Sequence, residues 1–195
     1  MKKVLNIDTN LLVLIFLSFF LSCELIHEKK SSKKNLLNRP NILLLMSDNQ
    51  SANHMGCYGD KSIKTPNIDK LAKKGLIFKN AYCSAPSCSP ARASMLTGQD
   101  IWSLGEAANL WSSFPRVKVY SKLIEESGYH VGIEGKGWGP GDETVTGWKQ
   151  NPGGVRYNSF EEFFNDKEKD QPWMYWYSSR DPHRPYKKEG WKNSG

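Results

Sequence analysis

Cys88-Ser89-Pro90-Ala91-Arg92 sets a thiol and a guanidinium four residues apart, where the surrounding sequence predicts the start of a helix. Pro90 has its φ preset for a first helical turn, residues 91–97 continue as helix formers, and Gly98 stops them. Cys88 is therefore expected just ahead of a helix N-terminus, where free N–H groups and the macrodipole favour an anion. Arg92 brings its planar fork toward the same oxyanion. A nucleophile precursor beside an anion cradle points to sulfate or phosphate chemistry. Taken alone, such a pair more often marks a buried structural Cys beside a solvated Arg, so other residues must supply the partners.

Those partners need elements to position them. Residues 41–46 form a short apolar run, read as a central parallel strand buried on both faces and ending in Ser47-Asp48-Asn49. Thr65 caps a helix with Pro66 in its first turn; Ile68, Leu71 and Ala72 share a face, and Gly75 stops it. Residues 76–82 read as a strand that delivers the chain to Ser87-Cys88. Residues 119–127 predict a helix with Leu123 and Ile124 on one face, closed by Gly128. A strand over 129–133 follows and runs into Glu134-Gly135-Lys136. Ser159 and Glu162 form a capping box ahead of Phe163 and Phe164. A strand over 173–177 then empties into Arg180-Asp181-Pro182-His183-Arg184.

Strands alternating with helices predict an α/β fold, a mostly parallel central sheet flanked by helices. Asp48, Asn49, Lys136, Asp181 and His183 all fall just past the carboxyl end of an expected strand, the edge along which open α/β sheets place their sites. The Gly- and Pro-rich loop 137–156 is long enough to be functional or mobile. The sequence has no internal repeat.

The chain has 195 residues, enough for one domain with a substantial core. Residues 1–22 are read as a secretory signal: Met1-Lys2-Lys3, an apolar run over 11–21, then Leu21-Ser22-Cys23. That run is short of the ~20 apolar residues of a membrane span. Cys23 resembles the lipidated residue of a bacterial lipobox, with Phe20 where Leu is usual. Residues 23–39, with Lys29, Lys30, Lys33 and Lys34, read as a solvated tether. The formal net charge is +7, of which residues 1–39 carry +4. The remainder is only mildly basic, which argues against a nucleic-acid partner; a tether near a membrane uses those lysines better. Cys57 and Cys83 are compatible with an exported disulfide or with two free thiols, and their spacing favours neither.

With these residues in place, the chain resembles the N-terminal part of the type I, formylglycine-dependent sulfatases of the alkaline-phosphatase superfamily. The resemblance rests on the segment from Arg39-Pro-Asn through Asp48-Asn49, on Thr65-Pro-Asn-Ile-Asp69, on Cys88-Ser-Pro-Ala-Arg92 with Leu96-Thr-Gly98, on Gly135-Lys136 and on Asp181-Pro-His183. It implies a sulfatase N-terminal domain over 40–195, in which a maturation enzyme oxidises Cys88 to formylglycine. The hydrated aldehyde attacks sulfur, expels the leaving group and later releases sulfate. By the same resemblance Arg92 stabilises that residue and the developing charge, Lys136 holds a sulfate oxygen, and His183 protonates the leaving atom. Asp48 and Asn49 match the first two ligands of the family's Ca2+, with modified Cys88 also on the metal. Lys136, Arg184 and Trp138 contact substrate, and Trp102, Trp111 and Trp138 are candidates for a sugar-facing wall or for core.

The sequence also departs from the family. Asn49 stands where a second Asp is usual, Trp138 where many relatives carry a His, and Arg180 where they often carry another. Cys88-Ser-Pro-Ala-Arg92 and Asp181-Pro-His183-Arg184 look most like the heparan N-sulfatase (sulfamidase) branch, implying N-sulfated glucosamine of glycosaminoglycans as substrate. Relatives are usually much longer and carry further calcium ligands downstream, so the chain reads as incomplete, with a sheet edge left bare and weak or no activity alone. The expectation is an exported lipoprotein of the periplasm or cell envelope acting on sulfated glycans. A phosphonate or phosphodiester hydrolase of the same superfamily, and a non-catalytic glycan-binding lipoprotein, are the alternatives.

Overall fold

Four short strands lie parallel in one sheet, β1 (Ile42–Met46), β2 (His130–Gly135), β3 (Val155–Arg156) and β4 (Trp173–Ser178), in the order β1-β4-β2-β3. The computed structural model describes residues 39–186. The leader, Cys23 and most of the tether lie outside them. Four helices connect the strands: α1 (Pro66–Lys74), α2 (Cys88–Thr97), α3 (Tyr120–Glu126) and α4 (Phe160–Asp166). The α/β class and parallel sheet are those the alternating pattern predicts.

Register decides which side chains form the core. Ile133 of β2 sits beside Trp176 of β4, and both are buried with Ala93 and Leu96 of α2 and with Phe114 and Trp138. On the opposite face Tyr175 packs with Tyr157 and with Phe163 of α4. Gly132 permits that second contact, since a Cβ there would lie 2.5 Å from the Phe163 ring. A sheet clothed by different elements on each face is what short β-α connections produce.

Several local expectations are corrected. β1 is one of the sheet's two edge strands among the described residues, and Leu43 and Leu45 are 54% and 61% exposed rather than buried on both faces. Residues 76–82 form no strand; they are irregular, with a bend at Lys79 and Asn80 and with Leu76, Phe78 and Tyr82 exposed, because no neighbouring strand offers them a ladder. Thr65 precedes α1 without capping it: its hydroxyl accepts from Gly56 N (2.9 Å) and donates to Asp69 Oδ1 (3.0 Å). Ser159 does cap α4, accepting from Glu162 N at 3.1 Å, while Glu162 reaches back one residue further than expected, to Asn158 N at 2.9 Å. Loop 137–156 is held by Asn151, whose amide accepts from Trp138 N and donates to Trp138 O.

Candidate active site

Asp48 is the first polar side chain beyond β1 that is buried, at 4% exposure, and its surroundings keep it charged. Its backbone N–H donates to Asp181 O (3.1 Å), tying the end of β1 to the loop after β4. One carboxylate oxygen accepts from Arg92 Nη2 at 3.3 Å and the other from Lys136 Nζ at 2.5 Å. Burial alone would raise the Asp48 pKa. The hydrogen bond and charge of Lys136, joined by the charge and hydrogen bond of Arg92, outweigh it and hold the carboxyl below its ordinary range.

Cys88 is the first residue of α2, one position further into the helix than the sequence suggests, with Ser87 as extended N-cap. The first intrahelical bond comes from Ala91 N to Ser87 O, and Pro90 has no N–H, so the N–H groups of Cys88 and Ser89 end the helix without such a partner. The Cys88 thiol points back at the sheet edge, 3.7 Å from Asp48 Oδ1 and 3.9 Å from Asn49 Oδ1. Asn49 has φ 62°, a left-handed conformation that asparagine tolerates better than most residues.

Arg92, one turn along α2, is 4% exposed and spends its fork inside the protein. Nη1 donates to Gly137 O (2.6 Å) and Ser178 Oγ (2.7 Å), Nη2 to Asp48, and the guanidinium lies 5.7 Å from the Trp176 ring. The planar donor set is matched to three acceptors from three segments, which a lysine cannot reproduce. Lys136 is delivered by Gly135, whose φ of 77° and close approach to Ser178 O leave no room for a side chain.

His183 brings a ring nitrogen to within 4.8 Å of the ligand atoms of Asp48 and Cys88. Its Nδ1 lies 2.5 Å from Arg184 O. A carbonyl only accepts, so Nδ1 carries the hydrogen and Nε2 is left for other work. Arg184 is exposed and lines a cleft with Lys136, Asp181 and His183.

Asp48, Asn49, Cys88, Arg92, Lys136 and His183 thus come to one edge of the sheet. Trp138 does not join them as a substrate contact: it is 2% exposed, packs edge-on to Phe114 and donates from Nε1 to Ser89 O, so its ring has no face for a sugar. Trp102 and Trp111 are exposed. Cys57 and Cys83 are free thiols. Sequence reasoning missed Ser178, the buried acceptor for Arg92, although its place at the end of a strand was the signal that found the others. It also missed Asn151, which nothing but the fold could reveal.

The profile of the Sulfatase family matches residues 40–194. Human N-sulphoglucosamine sulphohydrolase is 32% identical over 161 residues, spanning 74% of this chain and 32% of that protein. The uncharacterized sulfatase YidJ of Escherichia coli is 37% identical over 100 residues, 51% of this chain and 20% of that protein. Among solved structures, Ps i-CgsB in complex with a neocarrahexaose superposes with a TM-score of 0.61 at 25% identity, covering 75% of this chain and 46% of that one. The chain therefore spans a fifth to a third of the length of these two sequence relatives.

Proposed function

This chain belongs to the sulfatase family, and on that premise we propose that it carries the nucleophile side of a site that hydrolyses sulfate esters or sulfamates on glycans. The observation that carries the reading is the convergence of the Cys88 thiol, the buried Asp48 carboxylate and the Arg92 and Lys136 cations at one sheet edge. Position 88 adjoins both a helix N-terminus and two fixed cations, a setting that stabilises negative charge on whatever nucleophile stands there.

The two implied groups fit the side chains present. Asp48 Oδ1 and Asn49 Oδ1 converge on residue 88 within 4 Å, an all-oxygen pair suited to a hard cation, though a thiol is a poor third donor for one. Oxidation of Cys88 to formylglycine replaces that sulfur with oxygen, and the hydrated aldehyde would supply the nucleophile. Calcium held by Asp48, Asn49 and residue 88 would polarise the sulfate oxygens.

The other side chains do the rest. Arg92 fixes Asp48 against β4 and the Gly137 carbonyl. Lys136, bonded here to Asp48, would hold a sulfate oxygen. Protonated His183, with Nδ1 held by Arg184 O, hands the Nε2 proton to the departing oxygen or nitrogen. The similarity to N-sulphoglucosamine sulphohydrolase, which spans most of this chain, supports an N-sulfated glucosamine as substrate. On the same resemblance its partner would be a formylglycine-generating maturation enzyme, and a lipid anchor at Cys23 would hold it in the cell envelope.

The test is release of inorganic sulfate from N-sulfoglucosamine and O-sulfated glucosamine, beside phosphodiester and phosphonate ester hydrolysis, by the protein purified from its native cells. Faster turnover of the sulfated sugars is expected. Preferential turnover of the phosphorus esters would overturn the reading in favour of the related hydrolases, and sugar binding without turnover in favour of a binding lipoprotein.

A further inference from the structure

The cleft beside Lys136 contains more positive charge than the proposed chemistry uses. Arg156 closes β3 and Arg180 follows β4; these strands lie on either side of β2, so the two arginines flank the strand end from which Lys136 projects. Together with Asp48 and Arg184 they line one cleft of about 590 Å³, within the roughly 300–1,000 Å³ of small-molecule sites.

Arg156 is held in place without being neutralised. Its Nη1 donates to Gly135 O and its Nη2 to Lys136 O (3.4 Å), both uncharged carbonyls. No ion pair joins Arg156, Arg180 or Arg184 to a carboxylate among the described residues. Burial lowers the Arg156 pKa, Glu143 pulls it back up, and the like charge of Arg180 lowers it again, which puts the two guanidiniums within reach of each other's field. Asp48 is already committed to Arg92 and Lys136, leaving Glu143 and Asp181 as the other acids of the cleft. Two like charges lining one cleft, one of them held by backbone carbonyls, are relieved by an oxyanion that accepts bonds from both forks.

We propose that Arg156 and Arg180 form a second anion subsite, so that the preferred substrate carries, besides the sulfate attacked at residue 88, a further sulfate or carboxylate on the same or the adjoining sugar. This rests on the sulfatase reading and narrows its substrate class to glycans with closely spaced negative groups.

Calorimetric titration of the 195-residue chain at low ionic strength tests it. The probes are N-sulfoglucosamine, its 6-O-sulfated form, and a disaccharide joining it to glucuronate. At least one doubly anionic probe is expected to bind about tenfold or more tighter than the single sulfamate, and which one identifies the second group as sulfate or carboxylate. Arg180→Gln, whose side chain makes no hydrogen bond within the described residues, and Arg156→Lys, which keeps the charge but loses the fork, should each bring that ratio toward one. Equal binding of all three probes, or a ratio that survives in Arg180→Gln/Arg156→Gln, overturns the subsite while leaving the function intact. Failure of a folded chain to bind any probe overturns the function and the subsite with it.

Discussion

Asp48 carries the electrostatics of the site because it is buried and faces two cations from different elements. Arg92 is the deeper of the two, and its loss leaves the Ser178 hydroxyl and the Gly137 carbonyl without their donor as well as Asp48 without a partner. Arg92→Ala is therefore expected to cost about 3–5 kcal/mol, the range for removing one member of a buried pair, read as a fall in the urea midpoint at constant slope. Arg92→Lys should recover only part of this, since one ammonium cannot reach three acceptors. Lys136 is nearer solvent, so Lys136→Ala should cost less stability than Arg92→Ala but lower sulfate release by roughly 10²–10³-fold, as loss of one charge-stabilising donor does. A stability loss in Lys136→Ala as large as that in Arg92→Ala would contradict this division of labour.

At the level of elements, the turn after β2 decides where Lys136 points. Gly135→Ala would put a Cβ 2.1 Å from Ser178 O at a φ of 77°, so the turn must move; a cost of about 1–3 kcal/mol is expected, with lost sulfate release even where the fold survives. At the start of α3 the Tyr120 hydroxyl is buried with no hydrogen-bond partner among the described residues, and burial raises its pKa to about 12. The neutral phenol is thus favoured in the folded state, and its contribution is present below the ordinary value of ~10 and lost as pH rises toward 12. Tyr120→Phe should stabilise the protein by about 1–2 kcal/mol at neutral pH, since it removes an unsatisfied buried group. It should also abolish that part of the alkaline loss in thermal unfolding curves. These elements were unevenly legible. Strand ends gave Asp48, Lys136 and His183 because polar residues directly after apolar runs lie at one sheet edge by topology. Apolar patterning misread 76–82 as a strand and β1 as doubly buried, because it reports hydrophobicity and not whether a partner is there to pair. Arg156 was hidden because it stands in what reads as a loop, and Trp138 was misassigned because only packing shows that its ring is enclosed by Phe114 and Ser89.

Across the whole molecule, the sheet itself leaves an apolar surface uncovered among the described residues: Leu43 and Leu45 of β1, with Tyr177 of β4 beside them in the register Leu45↔Tyr177. Exposed apolar faces and unpaired strand edges favour association, so the 195-residue chain by itself should sediment with concentration-dependent mass and enhance the fluorescence of a hydrophobic dye. Leu43→Lys/Leu45→Lys should suppress both, and unchanged association in that variant would place the contact elsewhere. The fold serves chiefly to bring position 88 from a helix start to a sheet edge where Asp48, Arg92 and Lys136 already stand, which makes the identity of that side chain in the mature protein the point on which the account depends. Mass spectrometry of the tryptic peptide over residues 80–92, from protein made in its native cells, reads it directly. The account predicts an aldehyde in place of the Cys88 thiol; an intact thiol, from cells shown to modify another sulfatase, would contradict it.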